Sequence, residues 1–181
     1  MVKKKDLEKE IDKLNEILAK KGHNRQKTST FFLLLNSNDT PKNQTEVESS
    51  MEYMKEIVQS IGENLDNLIE FKDKSHSYST QYIDDVKIKF SLEQGLGRKK
   101  KNGEYSEHAG QVHAHALLTV KHKSNITIDR DKLQEFAQEK FNYYYGHNGF
   151  AGVKWVPDDA LENYMTKSKR YAEGYEWKKI Q

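Results

Sequence analysis

A length of 181 residues allows one domain with a real core and does not call for a second. The absence of cysteine excludes a disulfide framework and cysteine-ligated zinc, so a bound metal has only His, Asp, Glu or other oxygen donors to use. With 30 Lys+Arg against 28 Asp+Glu, the net charge of +2 does not itself point to a polyanion; a nucleic-acid binder would have to use a local basic patch.

The charged class (32%) nearly equals the hydrophobic class (35%), which predicts a compact core with long loops. The longest apolar run, Phe31 to Leu35, is far too short to span a bilayer. The Lys-rich start has no apolar stretch behind it, so no signal peptide is expected, and the chain reads as soluble and intracellular with no membrane partner.

In chain order, residues 4–21 read as a helix, with Leu7, Ile11, Leu14 and Leu18 on one stripe and Gly22 as a stop. We take 1–24 as an N-terminal amphipathic helix and 25–181 as the main domain. Such a helix either docks on its own domain or makes a homo-oligomer contact. Thr28 to Asn36 reads as a strand whose Phe31–Leu35 run is buried on both faces. A helix capped at Thr45 or a near neighbour runs to about Ile61. Tyr82 to Glu93 alternates cleanly: Val86, Ile88, Phe90 and Leu92 face one way, Lys87, Lys89, Ser91 and Glu93 the other. A long loop, 95–110, follows. Val112 to Val120 is a strand, Asp129 to Tyr144 a helix, Gly152 to Val156 a short strand, and Asp158 to about Tyr171 a last helix. This order predicts an α+β fold: a central antiparallel sheet of about five strands, helices on its apolar face and the other face free for a site.

The strand 112–120 carries the most chemistry. Alternation points Val112, Ala114, Ala116, Leu118 and Val120 into the core, and His113, His115, Leu117 and Thr119 onto the open face. The two imidazoles then lie about 6.7 Å apart along one face, a spacing at which both can reach one divalent ion. Glu93 sits on the polar face of the preceding strand and approaches them if the two strands pair. A His-His-carboxylate set with open positions suits Mg²⁺ or Mn²⁺, which also take phosphate oxygens. The bland reading is two polar residues on an exposed face and a solvated Glu. Glu104, Glu107 and His108 in the glycine-flanked loop are rival ligands.

On the last helix Tyr164 and Lys167 are three apart and share a face. A phenol is a poor nucleophile at its free pKa near 10, and becomes a useful one beside a metal-polarised phosphodiester and a cation. The alternative is a packed Tyr164 in the stripe Leu161, Tyr164, Met165, Ser168.

Taken together, these motifs resemble the HUH-type single-strand endonucleases, the initiators of rolling-circle and rolling-hairpin replication, in the single-Tyr branch of circular single-stranded DNA virus and parvovirus-like initiators. The apolar strand Phe31-Phe32-Leu33-Leu34-Leu35-Asn36 resembles the family's first motif. His113-Ala114-His115 resembles its His-hydrophobic-His motif, and Tyr164-Met165-Thr166-Lys167 its Tyr-x-x-Lys motif; Phe90 to Gly95 resembles the strand that supplies its carboxylate. The resemblance covers roughly 28–175. It implies that Glu93, His113 and His115 hold a divalent metal (Mn or Mg), and that Tyr164 attacks the scissile phosphate. A 5′-phosphotyrosine then forms and a 3′-OH is freed, with Lys167 steadying phosphate charge. It also implies a single-stranded DNA partner (origin or hairpin), a helicase domain or protein beside the nuclease, and a host nucleus for a eukaryotic viral initiator or a cytoplasmic setting otherwise. The chain departs from the family in its long 94–111 loop and in the leading helix 4–21.

Arg98, Lys99, Lys100 and Lys101 form the densest basic run, in the loop beside this site, and Lys87, Lys89, Lys121, Lys123 and Lys154 extend it toward a phosphate-binding patch. Tyr143, Tyr144, Tyr145 and Trp155 are candidates for stacking bases, or for ordinary packing. Two other functions compete with the nuclease: a non-catalytic nucleic-acid-binding module of the same fold, and a metal-dependent hydrolase in which Tyr164 is only structural.

Overall fold

The computed structural model describes Lys13, Ile17, and residues 25–72, 82–95, 100–104 and 109–156, with 172–178 described as backbone. Lys13 and Ile17 are helical and exposed; the remainder of the expected helix 4–21 lies outside the described residues, as does the expected helix 158–171.

The elements are β1 (Gln26–Ser37), α1 (Gln44–Glu63), a 3-10 turn (Leu65–Leu68), β2 (Ile69–Phe71), β3 (Ile83–Gln94), β4 (Val112–Lys123), β5 (Ile126–Ile128), α2 (Arg130–Tyr145), β6 (Gly149–Trp155) and β7 (Ala172–Lys178). The main sheet has five strands in the order β6-β1-β4-β3-β7, and every neighbouring pair is antiparallel. This is the expected α+β architecture. A two-stranded sheet of β2 and β5 and the edge strand β7 were not expected from the sequence. Three-residue strands carry too little alternation to read, and Ala172–Lys178 sets Glu, Gly and Lys among its aromatics.

Both helices start on side-chain caps. The Asn43 side chain accepts from the Glu46 amide at 3.0 Å, and the Glu46 carboxylate reaches back to the Lys42 amide at 2.7 Å, satisfying two otherwise open donors. Asp129 accepts from the amides of Asp131 and Lys132. The apolar stripes Val47, Met54, Ile57, Val58, Ile61 of α1 and Leu133, Ala137, Phe141 of α2 then meet the sheet. Against them lie Phe31, Leu33 and Leu35 of β1, the even residues Val112 to Val120 of β4, and Val86, Ile88, Phe90 and Leu92 of β3. Contrary to full burial on both faces, only the odd residues of the Phe31–Leu35 run enter the core; Phe32 and Leu34 are half-buried on the opposite face.

The edge of β6 is closed by α2. The Ala151 amide donates to the Gln138 side chain at 2.9 Å, the Val153 amide donates to that of Gln134 at 2.7 Å, and the Gln134 amide group donates to the Ala151 carbonyl. Two glutamines thus occupy backbone groups that would otherwise template another strand. β6 begins at Gly149, whose φ of 146° and tight fit against Asn36 leave no place for a side chain.

Candidate metal centre

Strand register assembles the site. Glu93 of β3 stands directly opposite His113 of β4, and Ser91 opposite His115. On the other flank of β4, Asn36 stands opposite His113 and Leu34 opposite His115. The long 94–111 connection does not disturb this pairing. It is pinched at its base, where the Gly95 amide donates to the Gln111 carbonyl at 2.8 Å and the Gln94 side chain donates to the Gly110 carbonyl at 3.1 Å. Gly110, with φ 86°, makes the turn back into β4.

The Glu93 carboxylate bridges the two imidazoles. Its Oε2 lies 3.3 Å from Nε2 of His113 and its Oε1 lies 3.2 Å from Nδ1 of His115. The rings of His113 and His115 are 5.1 Å apart between centroids and steeply inclined. On the far side the ring of Phe32 lies nearly parallel to that of His115, with centroids 5.7 Å apart, and so limits its rotation. All three ligand side chains are half-buried, exposing 16–18% of their surface. Burial pushes the His115 pKa below its ordinary value, the neighbouring His113 adds to this, and Glu93 opposes it. His115 is therefore held neutral near pH 7, the form that can ligate.

The three residues can hold a metal ion. Their donor atoms lie within 4.8 Å of one another, and among the described residues they are the only such group of His and carboxylate side chains. An ion with ligands at about 2.1 Å sets adjacent donors about 3.0–3.4 Å apart, so the Glu93–imidazole distances are already those of a coordination edge. Two nitrogens and one carboxylate oxygen leave further positions for a substrate oxygen.

The other candidates divide. Among the rival ligands, Glu104 is exposed and bonded to Asn102 at 2.8 Å, away from the triad, while Glu107 and His108 lie outside the described residues. Tyr164, Lys167, Arg98 and Lys99 also lie outside them. Lys100 and Lys101 are exposed in the β3–β4 connection. Lys154 is exposed and pairs in register with Phe32, on the His face. The tyrosine run does not adjoin the site. Tyr145 is bonded to Ser50 and stacks on Phe141, and the Tyr144 hydroxyl donates to Glu56 at 2.6 Å, both in the helical layer. That bond, with burial and the carboxylate's charge, pushes the Tyr144 pKa up to about 12.

The sequence did not single out Phe32, whose parity places it beside His115 only once the pairing of β1 with β4 is known. The same is true of Ser91, buried opposite His115 with an unpartnered hydroxyl. No family model, no curated protein and no solved structure matches the chain.

Proposed function

We propose that the protein is a metal-dependent single-stranded DNA endonuclease and strand transferase of the HUH type, with Tyr164 as nucleophile. The observation that carries the reading is the convergence of Glu93, His113 and His115 near the ends of two inner strands, on the sheet face opposite α1 and α2. Mn²⁺ or Mg²⁺ fits this donor set and the phosphate chemistry.

Tyr164 and Lys167 belong to the chain that joins β6 to β7, the two edge strands of the sheet.

In this reading a bound divalent ion supplies Lewis acidity to a phosphate oxygen. Glu93, His113 and His115 hold the ion; Phe32 keeps the His115 ring in orientation. The Tyr164 oxygen bonds to phosphorus and the bond from phosphorus to the 3′ oxygen breaks. The proton lost by the phenol balances the one gained by the departing 3′-OH. The 5′ phosphate remains esterified to Tyr164, and attack by a 3′-OH reverses the step. Lys167 and the exposed Lys154, Lys100 and Lys101 bind backbone phosphates.

The test is a denaturing gel of the protein with labelled single-stranded oligonucleotides and Mn²⁺. The expected result is a covalent protein–DNA band that disappears in Tyr164→Phe while binding persists. Cleavage without an adduct would leave a metal-dependent hydrolase, and no cleavage under any divalent ion would leave a binding module; either overturns the reading.

A further inference from the structure

We propose that Ser91 is a fourth polar member of the metal centre, a positioning residue whose hydroxyl hydrogen-bonds an oxygen in the coordination shell of the bound ion; this rests on the metal reading of the triad and names what stands behind its three ligands. Ser91 and Glu93 are two apart on β3 and share a face. On β4 they stand opposite His115 and His113. The four residues therefore occupy the corners of one patch of sheet, about 6.7 Å along the strands and about 5 Å across.

The Ser91 hydroxyl is the orphan of this patch. Ser91 is 4% exposed and its Oγ has no hydrogen-bond partner. The other three corners serve one another: Glu93 Oε2 and Oε1 lie 3.3 Å and 3.2 Å from Nε2 of His113 and Nδ1 of His115. On the outer flank Ser91 pairs in register with Gly174 of β7, which has no side chain to offer. A buried hydroxyl without a partner is a net cost to the fold, so packing alone does not account for a serine here. An ion at the triad supplies the missing partner. Mg²⁺ and Mn²⁺ take about six ligands, and those beyond the triad are oxygens of solvent or phosphate. A hydroxyl can donate to such an oxygen or accept from it. Serine carries its oxygen one bond beyond Cβ and glutamate carries its own three bonds beyond. Ser91 therefore stands back from the ion and orients what the ion carries.

The experiment compares the full chain with Ser91→Ala in two measurements. In urea denaturation with a chelator present, Ser91→Ala should unfold at the parent's midpoint or above it, because it removes an unpaired buried hydroxyl. In calorimetric titration with Mn²⁺ its affinity should be at least about tenfold lower, the usual loss when a group behind the ligands is removed. A merely structural serine would do the opposite, lowering the midpoint and leaving the affinity alone. The assignment is overturned if Ser91→Ala binds Mn²⁺ as tightly as the parent, or if its midpoint falls, since the hydroxyl would then be paired within the fold. A parent that binds neither Mn²⁺ nor Mg²⁺ overturns it together with the metal centre. Weaker Mn²⁺ binding in Ser91→Ala with no Tyr164 adduct in the parent keeps Ser91 and removes the nuclease. A Tyr164 adduct with Mn²⁺ affinity unchanged in Ser91→Ala does the reverse.

Discussion

Glu93 faces His113 in the strand register, yet its second carboxylate oxygen reaches diagonally to Nδ1 of His115, 3.2 Å away and two residues along β4. One side chain thus ties both imidazoles into a single cluster. It does so from a different strand, so the site forms only when β3 and β4 pair in this register.

Replacing Glu93 by Gln keeps a side chain able to bond both rings but removes the negative charge. Divalent-ion affinity should fall at least about tenfold, since even partners outside the ligand shell commonly cost that much. Calorimetric titration with Mn²⁺ measures it. The ion should raise the melting temperature of the parent and do so far less for Glu93→Gln, because only a ligand that binds the folded state stabilises it. Equal affinities in the two proteins would remove Glu93 from the site.

His122 gives stability a pH dependence separate from metal binding. It is 2% exposed, its Nδ1 donates to the Lys123 carbonyl at 2.8 Å, and its Nε2 therefore accepts from the Ser29 hydroxyl at 2.9 Å. Burial holds its pKa below the ordinary 6.5; the Lys123 carbonyl opposes this, and Lys72 and Lys27 lower it further. The unfolded chain then binds the proton more readily than the folded one. This contribution is fully present above pH 6.5, declines as pH falls below it, and is lost through the folded-state pKa. Urea denaturation from pH 7.5 to 5 should show that slope, and His122→Gln should flatten it; an unchanged slope would rule His122 out as its source.

Two glycines of β6 should respond very unequally to the same change. At Gly149 a Cβ would fall on the Asn36 carbonyl oxygen and 2.7 Å from the Phe141 ring, with φ at 146°. Gly149→Ala should cost about 3 kcal/mol or more, through strain and displacement of a packed ring. Gly152→Ala meets only ordinary contacts and should change stability by about 0.5 kcal/mol or less. Chemical denaturation of the pair decides; similar losses would mean that β6 is not docked as found.

The glutamines on α2 should keep the sheet edge from pairing with other chains. Gln134→Ala with Gln138→Ala strips the partners from the Ala151 and Val153 amides. The amides would be left to water or to another strand, so stability should drop by about 1–3 kcal/mol and association should rise with concentration. Size-exclusion chromatography against concentration reads the second effect, and a monomeric, equally stable double variant would refute this role.

Strand and helix types were legible in the sequence because their periods are strong. The alternation from Val86 to Glu93, the parity of Val112 to Val120 and the helices expected to run to Ile61 and from Asp129 to Tyr144 all stand in the structure, with ends moved by a few residues. The same parity put His113 and His115 on one face. What the sequence left open was distance. Nothing in Phe90–Gly95 reveals that Glu93 meets His113 rather than a neighbour two residues away, because a long connection separates them and only backbone pairing sets register. Phe32 shows the same limit from the other flank: its place beside His115 exists only through the pairing of β1 with β4, 85 residues apart at Phe32↔Leu117. Composition and periodicity are local properties and determined which residues turn to the core and which to the open face. The meeting of a carboxylate with two imidazoles is a contact between strands, so tertiary pairing alone decided it.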